Sequence, residues 1–368
     1  MNRGSLSGVL VLCSLLLAAT GCRQRQRPVR KSWLTMGTFA SVTVPADDAR
    51  RLEKALPAVT NRAAAIAADL TVYNPESDVS RLNAAAGEPA FRPVSPHTLR
   101  MIEASRRIAS LTDGAFDPTV GPLAEMWGFN TGTPPQRLPA SERIARVLAR
   151  IGLQHVAVSN GMARIRAPGV ALDFGGIAKG YGVDLCYEEL RNAGIENVMV
   201  NIGGNLRVGG QPEESRPWRI GVRDPFDNNR LLGTLSLCDG DAVATSGHYE
   251  RFVTIEGRRY AHIIDPRTGL PVEGMAGVTV VAPTGVEADG LSTALFVLGP
   301  DGLSAVLARR PGLCAALVPN ARPRALVATP AFLDRFQPAP RMRNRIRRAP
   351  RGEARLPAPP AVVPRPVP

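Results

Sequence analysis

Glycine and proline interrupt this chain too often for an architecture of long, unbroken helices. With 35 glycines and 33 prolines in 368 residues, short elements joined by turns are favoured over a helical bundle or a coiled coil. Between the interruptions, helical and strand-like stretches interleave, yet several strands follow one another directly. That order predicts an α+β fold with mixed, mainly antiparallel sheets and helices, rather than a doubly wound parallel sheet. No Gly-x-Gly-x-x-Gly run follows the first strand, which argues the same way. The length would accommodate about two domains. Hydrophobic residues make up 44% of the chain and aromatics 5%, so the core must be largely aliphatic. A mean hydropathy of −0.04 excludes a polytopic membrane protein.

The formal charge of +13 would suggest a nucleic-acid surface if it were spread over the fold, but it sits at the ends. Residues 1–31 carry Arg3, Arg23, Arg25, Arg27, Arg30 and Lys31 with no acid, a charge of +6. Residues 321–368 hold eleven arginines against Asp334 and Glu353, a charge of +9. The stretch 32–320 is left with −2, so no nucleic-acid partner is implied. The basic ends read as solvated or membrane-surface segments.

Arg3 precedes an apolar run from Val9 to Ala19, too short to span a bilayer comfortably, and residues 1–21 have the form of a signal peptide. Ala18, Ala19, Thr20 and Gly21 in front of Cys22 resemble a bacterial lipobox. That implies cleavage before Cys22, lipidation of its thiol and attachment to a membrane. Residues 22–31 would then form a basic tether and 32–320 the folded domain. From 321 to 368, eleven prolines join the eleven arginines with little periodicity. Such a composition buries too little apolar surface to offset ordering. It predicts a disordered tail with at most a short helix near Phe332. The remaining cysteines, Cys13, Cys186, Cys238 and Cys314, show no Cys-x-x-Cys spacing; a thiolate zinc site is unsupported and buried free thiols are expected.

Residues 33–44 alternate and read as one strand. Helices are expected over 47–70, 77–86, 96–111 (with Ser95 as cap before the proline), 141–151 and 177–193. Strands are expected at 155–158, 163–165 and 197–202. Hairpin-like strands then run to Val281, and a further helix starts at Glu287.

Within this frame, LDFGGIAKGYGVD (residues 172–184) ends a strand in Asp173, turns on glycines and starts a helix. Such a turn offers backbone N–H groups to a phosphate or diphosphate. Lys179, one of three lysines against 42 arginines, adds a mobile positive charge. A glycine turn packed tightly against a sheet is the plainer alternative. In EADGLSTAL (287–295), Asp289, Ser292 and Thr293 share one helix face, a hard oxygen set suited to Mg²⁺; helix capping by Asp289 is the alternative. In residues 260–269, a strand to Ile264 leads into an Asp-Pro-x-x-Gly turn. There His262 is a candidate general base, with His248 the other candidate and a structural hydrogen bond the competing role. In residues 112–123, glycine and proline fix an irregular loop. Phe116 would line a planar ligand there, and Asp117 would accept from a ring or ribose donor or else close an Asx-turn. Met36 and Tyr73 offer soft and aromatic surface to a flat ring, with core packing as the default for both.

Taken in order, the segments MGT, TVYNPESDVSRLN, GAFDPTVGPL, LDFGGIAKGYGVD, VNIGGNLRVGG, ATSGHYERF, HIIDPRTG and EADGLSTAL resemble the ApbE family of FAD:protein FMN transferases, over about residues 33–318. The resemblance implies a mixed α+β fold. It implies Mg²⁺-dependent transfer of FMN from FAD to a Thr or Ser hydroxyl of a target flavoprotein carrying an Asp-x-x-Ser/Thr-Gly-Ala-Ser/Thr type of site, with release of AMP. It implies FAD contacts at Met36, Tyr73, Ala115, Phe116, Asp117, Asp173, Lys179 and Ile263. Its metal ligands would be the Gly176 carbonyl with Asp289 and Thr293. Ser292 is carried as a further metal position, where some members have an acidic residue, and Gly176 replaces a more usual Ala or Ser. His262 is the first choice of base and His248 the second, with Asp265 shaping the site. The lipobox fits the periplasmic, membrane-anchored members of the family. The competing readings are an envelope lipoprotein that binds or hydrolyses FAD without a protein target, and a non-enzymatic anchoring protein.

Overall fold

The structure, a computed structural model, describes residues 27–212 and 216–349. The signal peptide, Cys22 and residues 350–368 of the tail lie outside the described residues. The chain enters as the hairpin β1 (Val29–Thr35) and β2 (Thr38–Val44) and continues into the helices α1 (Ala49–Leu70) and α2 (Asp78–Ala84). Then come β3 (Arg92–Pro93), α3 (Pro96–Leu111), α4 (Gly121–Met126), α5 (Ser141–Leu148), β4 (Val156–Ser159) and β5 (Met162–Ile165). Helix α6 (Ala178–Asn192) leads to β6 (Val198–Ile202), β7 (Asn205–Gly209), β8 (Trp218–Asp224), β9 (Asp227–Leu237) and β10 (Ala242–Gly247). The ribbon β11 (Phe252–Ile255) and β12 (Arg258–Ala261) precedes β13 (Met275–Ala282), α7 (Gly285–Arg309) and β14 (Cys314–Pro319). The chain closes with β15 (Leu326–Ala328), α8 (Pro330–Leu333), β16 (Phe336–Pro338) and β17 (Ile346–Arg348).

Nine strands form one sheet in the order β1-β2-β6-β7-β10-β13-β14-β15-β17. Every pairing in it is antiparallel except β15 with β17. This is the mixed, mainly antiparallel α+β fold that the order of elements predicts. Period-two alternation sorts its side chains. On β14, Ala315 and Leu317 join the core under α3 and α7, whereas Cys314, Ala316 and Val318 face the small sheet β16-β9-β8. At the β1 end, Leu52, Ala55, Val59 and Ala63 of α1 recur at helical spacing and bury against α6, β2 and β6, while Ile66 one turn on joins the core under α3 and α7. Helix α7 is as long and apolar as a membrane span, but here it is the central core helix, with Leu291, Ala294, Leu295 and Phe296 fully buried.

Three expectations are corrected. Residues 33–44 form a hairpin rather than one strand: Met36 (φ 50°) and Gly37 (φ 69°) turn the chain, and the alternation passes through the turn without a break. The tether is shorter than expected, because residues 29–31 already pair with β2. The tail is folded through residue 349. Leu326, Phe332, Phe336 and Met342 are buried in the core against β8 and β9, so a few well-placed apolar residues anchor a segment that is otherwise rich in arginine and proline. Cys186, Cys238 and Cys314 are all free, and burial pushes the thiols of Cys186 and Cys314 up to about 12.

Candidate active site

The site forms where the start of α6 meets the start of α7. The helices touch through glycine: a Cβ on Gly180 would lie 2.1 Å from the Gly285 carbonyl oxygen, so only glycine permits this approach. Asp184, one turn further along α6, accepts from the N–H groups of Gly285 and Val286 at 2.7 and 2.9 Å and pairs with Arg207 at 2.8 Å. A buried carboxylate thus caps α7 and locks the two helices in register.

Around this joint the sequence-distant segments converge. The Asp173 carboxylate accepts from Gly175 N at 2.7 Å and its own N–H donates to Pro118 O at 2.7 Å. The loop holding Ala115 and Phe116 is thereby fastened to the glycine turn. Asn83 clamps Leu172 from both sides, donating to its carbonyl at 2.9 Å and accepting from its N–H at 2.7 Å. Burial raises the Asp173 pKa, opposed by the Gly175 bond and by the positive charges of Arg251 and Lys179. Lys179 reaches back to Gly175 O at 3.3 Å. Gly176 has no room to spare, since a Cβ there would meet Phe116 Cε2 and Thr293 Oγ1, both at 3.3 Å. Ala115, Phe116 and Ile263 are buried in one core behind the turn. Met36 Sδ sits 3.0 Å from where a Cβ of Gly182 would be, and Tyr73 stands 66% exposed.

The oxygen set is likewise assembled. Thr293 Oγ1 donates to Gly176 O at 3.3 Å. Asp289 Oδ2 accepts from Gly180 N at 2.8 Å, which leaves Oδ1 without a partner among the described residues. One carboxylate, one carbonyl and one hydroxyl make a hard donor set that fits Mg²⁺, whose other positions go to water or phosphate oxygens. Among the described residues no group of three His, Cys, Asp or Glu side chains offers another metal centre. Ser292 does not join the set. It is fully buried, donates to Asp289 O at 2.9 Å and pairs with Ser246 Oγ at 2.9 Å, so it braces α7 against β10.

His262 follows β12 rather than lying inside a strand. Its Nδ1 lies 3.2 Å from Arg251 O. A carbonyl only accepts, so Nδ1 carries the proton and Nε2 keeps its lone pair. Burial lowers its pKa to about 4, helped by the positive charges of Lys179 and Arg251. Asp265 is engaged by Arg267 through two side-chain bonds of 2.9 and 2.8 Å and closes its own turn on Thr268 and Gly269; it shapes the loop beside His262. His248 makes edge contacts with Phe226 and Tyr249, none of them part of the glycine turn, and burial lowers its pKa. Asp117 closes an Asx-turn onto Thr119 at 2.8 and 2.7 Å, the structural alternative, and burial raises its pKa. The sequence reading missed Glu250 and Arg251. Burial raises the Glu250 pKa, with Lys179 and Asp289 among the charges acting on it. Both residues lie in ATSGHYERF, whose histidine drew the attention instead.

A helix N-terminus with a lysine, a hard oxygen triad and a histidine that keeps its Nε2 lone pair give this α+β protein a candidate site for a phosphate-bearing ligand. The ApbE family model matches residues 36–318, and the chain belongs to that family. It is 32% identical to an Escherichia coli K12 FAD:protein FMN transferase, covering 84% of this chain and 91% of the relative. It is 35% identical to one from Vibrio cholerae, covering 80% and 88%. Among solved structures, the Vibrio cholerae flavin transferase ApbE superposes with a TM-score of 0.74 at 31% identity, covering 84% and 99%. The Thermotoga maritima ApbE protein gives 0.76 at 32%, covering 84% and 100%.

Proposed function

We propose that this protein transfers FMN from FAD to a Thr or Ser hydroxyl of a target protein and releases AMP. The carrying observation is the convergence of Asp173, Gly176 and Lys179 at the start of α6 with Asp289 and Thr293 of α7. The Gly176 and Lys179 N–H groups and the Lys179 ammonium receive the diphosphate; the N–H groups of Gly175, Ala178 and Gly180 are already bonded to Asp173, Phe174 O and Asp289. Phe116 and Ile263 back the site, and exposed Tyr73 and the Met36 thioether offer surface to the flavin ring. Mg²⁺, held by Gly176 O, Asp289 and Thr293, would supply positive charge against the diphosphate and the departing AMP. His262 Nε2 takes the acceptor proton as the acceptor oxygen bonds to the FMN phosphorus. The phosphorus–oxygen bond to AMP breaks and its electron pair leaves with AMP.

Incubation with FAD, Mg²⁺ and a target carrying an Asp-x-x-Ser/Thr-Gly-Ala-Ser/Thr site tests this reading: the target gains covalent flavin fluorescence and AMP appears in equal amount. Rapid release of free FMN with no labelled target supports the FAD-hydrolysing alternative instead. The lipobox-like residues before Cys22 support a lipid-anchored protein on the periplasmic face of a bacterial membrane. Cys22→Ala should move it from the membrane to the soluble fraction, and an unchanged membrane fraction argues against lipidation.

A further inference from the structure

The ribbon β11-β12 borders the site and pairs with no other strand among the described residues. A groove of about 540 Å³ runs along it, with Glu250, Arg251, Phe252, Val253 and Thr254 on one wall and the Gly128–Pro134 loop on the other. Five consecutive residues line it and none comes from β12, so the groove follows the backbone edge of β11 rather than one of its faces. The register shows which groups point there. Arg251 O accepts from His262 N, and the antiparallel pairing continues Phe252↔Ala261, Val253↔Tyr260, Thr254↔Arg259. Inward and outward bonding alternate along such a strand. Val253 therefore bonds to β12, while the N–H and C=O groups of Phe252 and Thr254 face the groove and find no partner among the described residues. An open strand edge is a template for another strand.

We propose that this edge binds the acceptor polypeptide as an added strand, held by backbone hydrogen bonds to Phe252 and Thr254. The inference rests on the reading that the acceptor is a protein. Continuity with the transfer site selects this occupant. The groove ends at Glu250 and Arg251, whose charges act on Lys179, Asp289 and His262, and the Arg251 carbonyl orients the His262 ring. A strand running along β11 is thus led to the base. Backbone recognition also suits an acceptor with an exposed, extended hydroxyl-bearing segment, because the strand edge reads conformation and leaves side chains to the transfer site beyond.

The test measures amide hydrogen exchange and acceptor KM on the full chain, with FAD, Mg²⁺ and a target protein carrying the acceptor site as probe. The Phe252 and Thr254 amides should exchange freely in the enzyme alone and become protected when target is added. Thr254→Pro removes an outward donor and leaves the β11-β12 ladder intact. It should raise the acceptor KM by roughly tenfold or more, the worth of one or two backbone bonds. FAD binding, followed by flavin fluorescence quenching, reports that the variant is folded. Arg259→Pro on the opposite edge should leave the acceptor KM unchanged. If the wild type labels the target while its Phe252 and Thr254 amides stay unprotected, or if both proline variants raise KM alike, the proposal is overturned. Protection already present in a dimer of the free enzyme gives the edge to a second copy and overturns it as well. Failure of the wild type to label any target fails the functional reading instead, and is seen before either variant is made.

Discussion

Asp289 holds Gly180 N with one oxygen and leaves the other free, and two substitutions separate these roles. Asp289→Ala orphans a buried N–H, a loss of about 1–3 kcal/mol, and removes the charge. Asp289→Asn still accepts from Gly180 but cannot supply a carboxylate to Mg²⁺. We expect Asp289→Asn to melt close to the wild type while transfer falls by about 100-fold or more; near-normal transfer would rule out the ligand role. His262 gives a pH prediction. Its folded pKa of about 4 lies below the ordinary value of about 6.5, so between these values the unfolded chain binds more protons than the fold. Its contribution to stability is complete above the unfolded value and is lost as pH falls through that window. Transfer should follow an acid limb near 4 and show no titration of this group near 7, and His262→Gln should abolish transfer with the fold intact. A limb near 6.5 in kcat/KM, which reports the free enzyme, would contradict the neutral state. These residue types and their spacing were visible in the sequence. That Ser292 turns to Ser246 rather than toward Thr293 was not, because its partner is 46 positions away.

At the scale of elements, the readable parts were those with local chemical punctuation. Helix α3 runs over Pro96–Leu111 as expected, with Ser95 Oγ accepting from Thr98 N at 3.3 Å. The β1-β2 turn was invisible because Met36 carries neither of the usual residue types for a left-handed turn position. The α6-α7 joint depends on the facing glycines Gly180 and Gly285, which read singly as helix weaknesses. Gly180→Ala drives a methyl group into the Gly285 backbone, for which overpacking of about 1–3 kcal/mol is the expected loss. It also displaces Gly180 N from Asp289, so thermal stability and metal-dependent transfer should fall together. A variant that keeps both would show that the helices part freely and that their contact does not set the oxygen geometry.

For the whole molecule, the charge distribution misled the reading of the C-terminal segment. Arginines that look unpaired locally find their acids far upstream. Arg341 bonds Asp224 at 2.9 Å and Arg335 bonds Asp241, partners more than ninety positions earlier. The slightly acidic core and the basic segment therefore complement one another, a relation that counting charges segment by segment cannot reveal. The apolar anchors are equally sparse in sequence and dense in space: Phe332 is fully buried, with its ring centroid 5.2 Å from that of Phe336. Strand β16 completes the sheet on β9, and β15 and β17 extend the main sheet beyond β14. Ending the chain after Asn320 would uncover the β8-β9 core and leave Asp224 and Asp241 without these partners. We expect that truncation to aggregate or to melt well below the full chain, and Phe332→Ala alone to lose about 3–5 kcal/mol in denaturant unfolding. Because Phe332 packs on the sheet face opposite α6 and α7, Phe332→Ala enzyme that remains folded at low temperature should still bind FAD with wild-type affinity. A truncated chain with unchanged stability would return the segment to the status of a solvated tail.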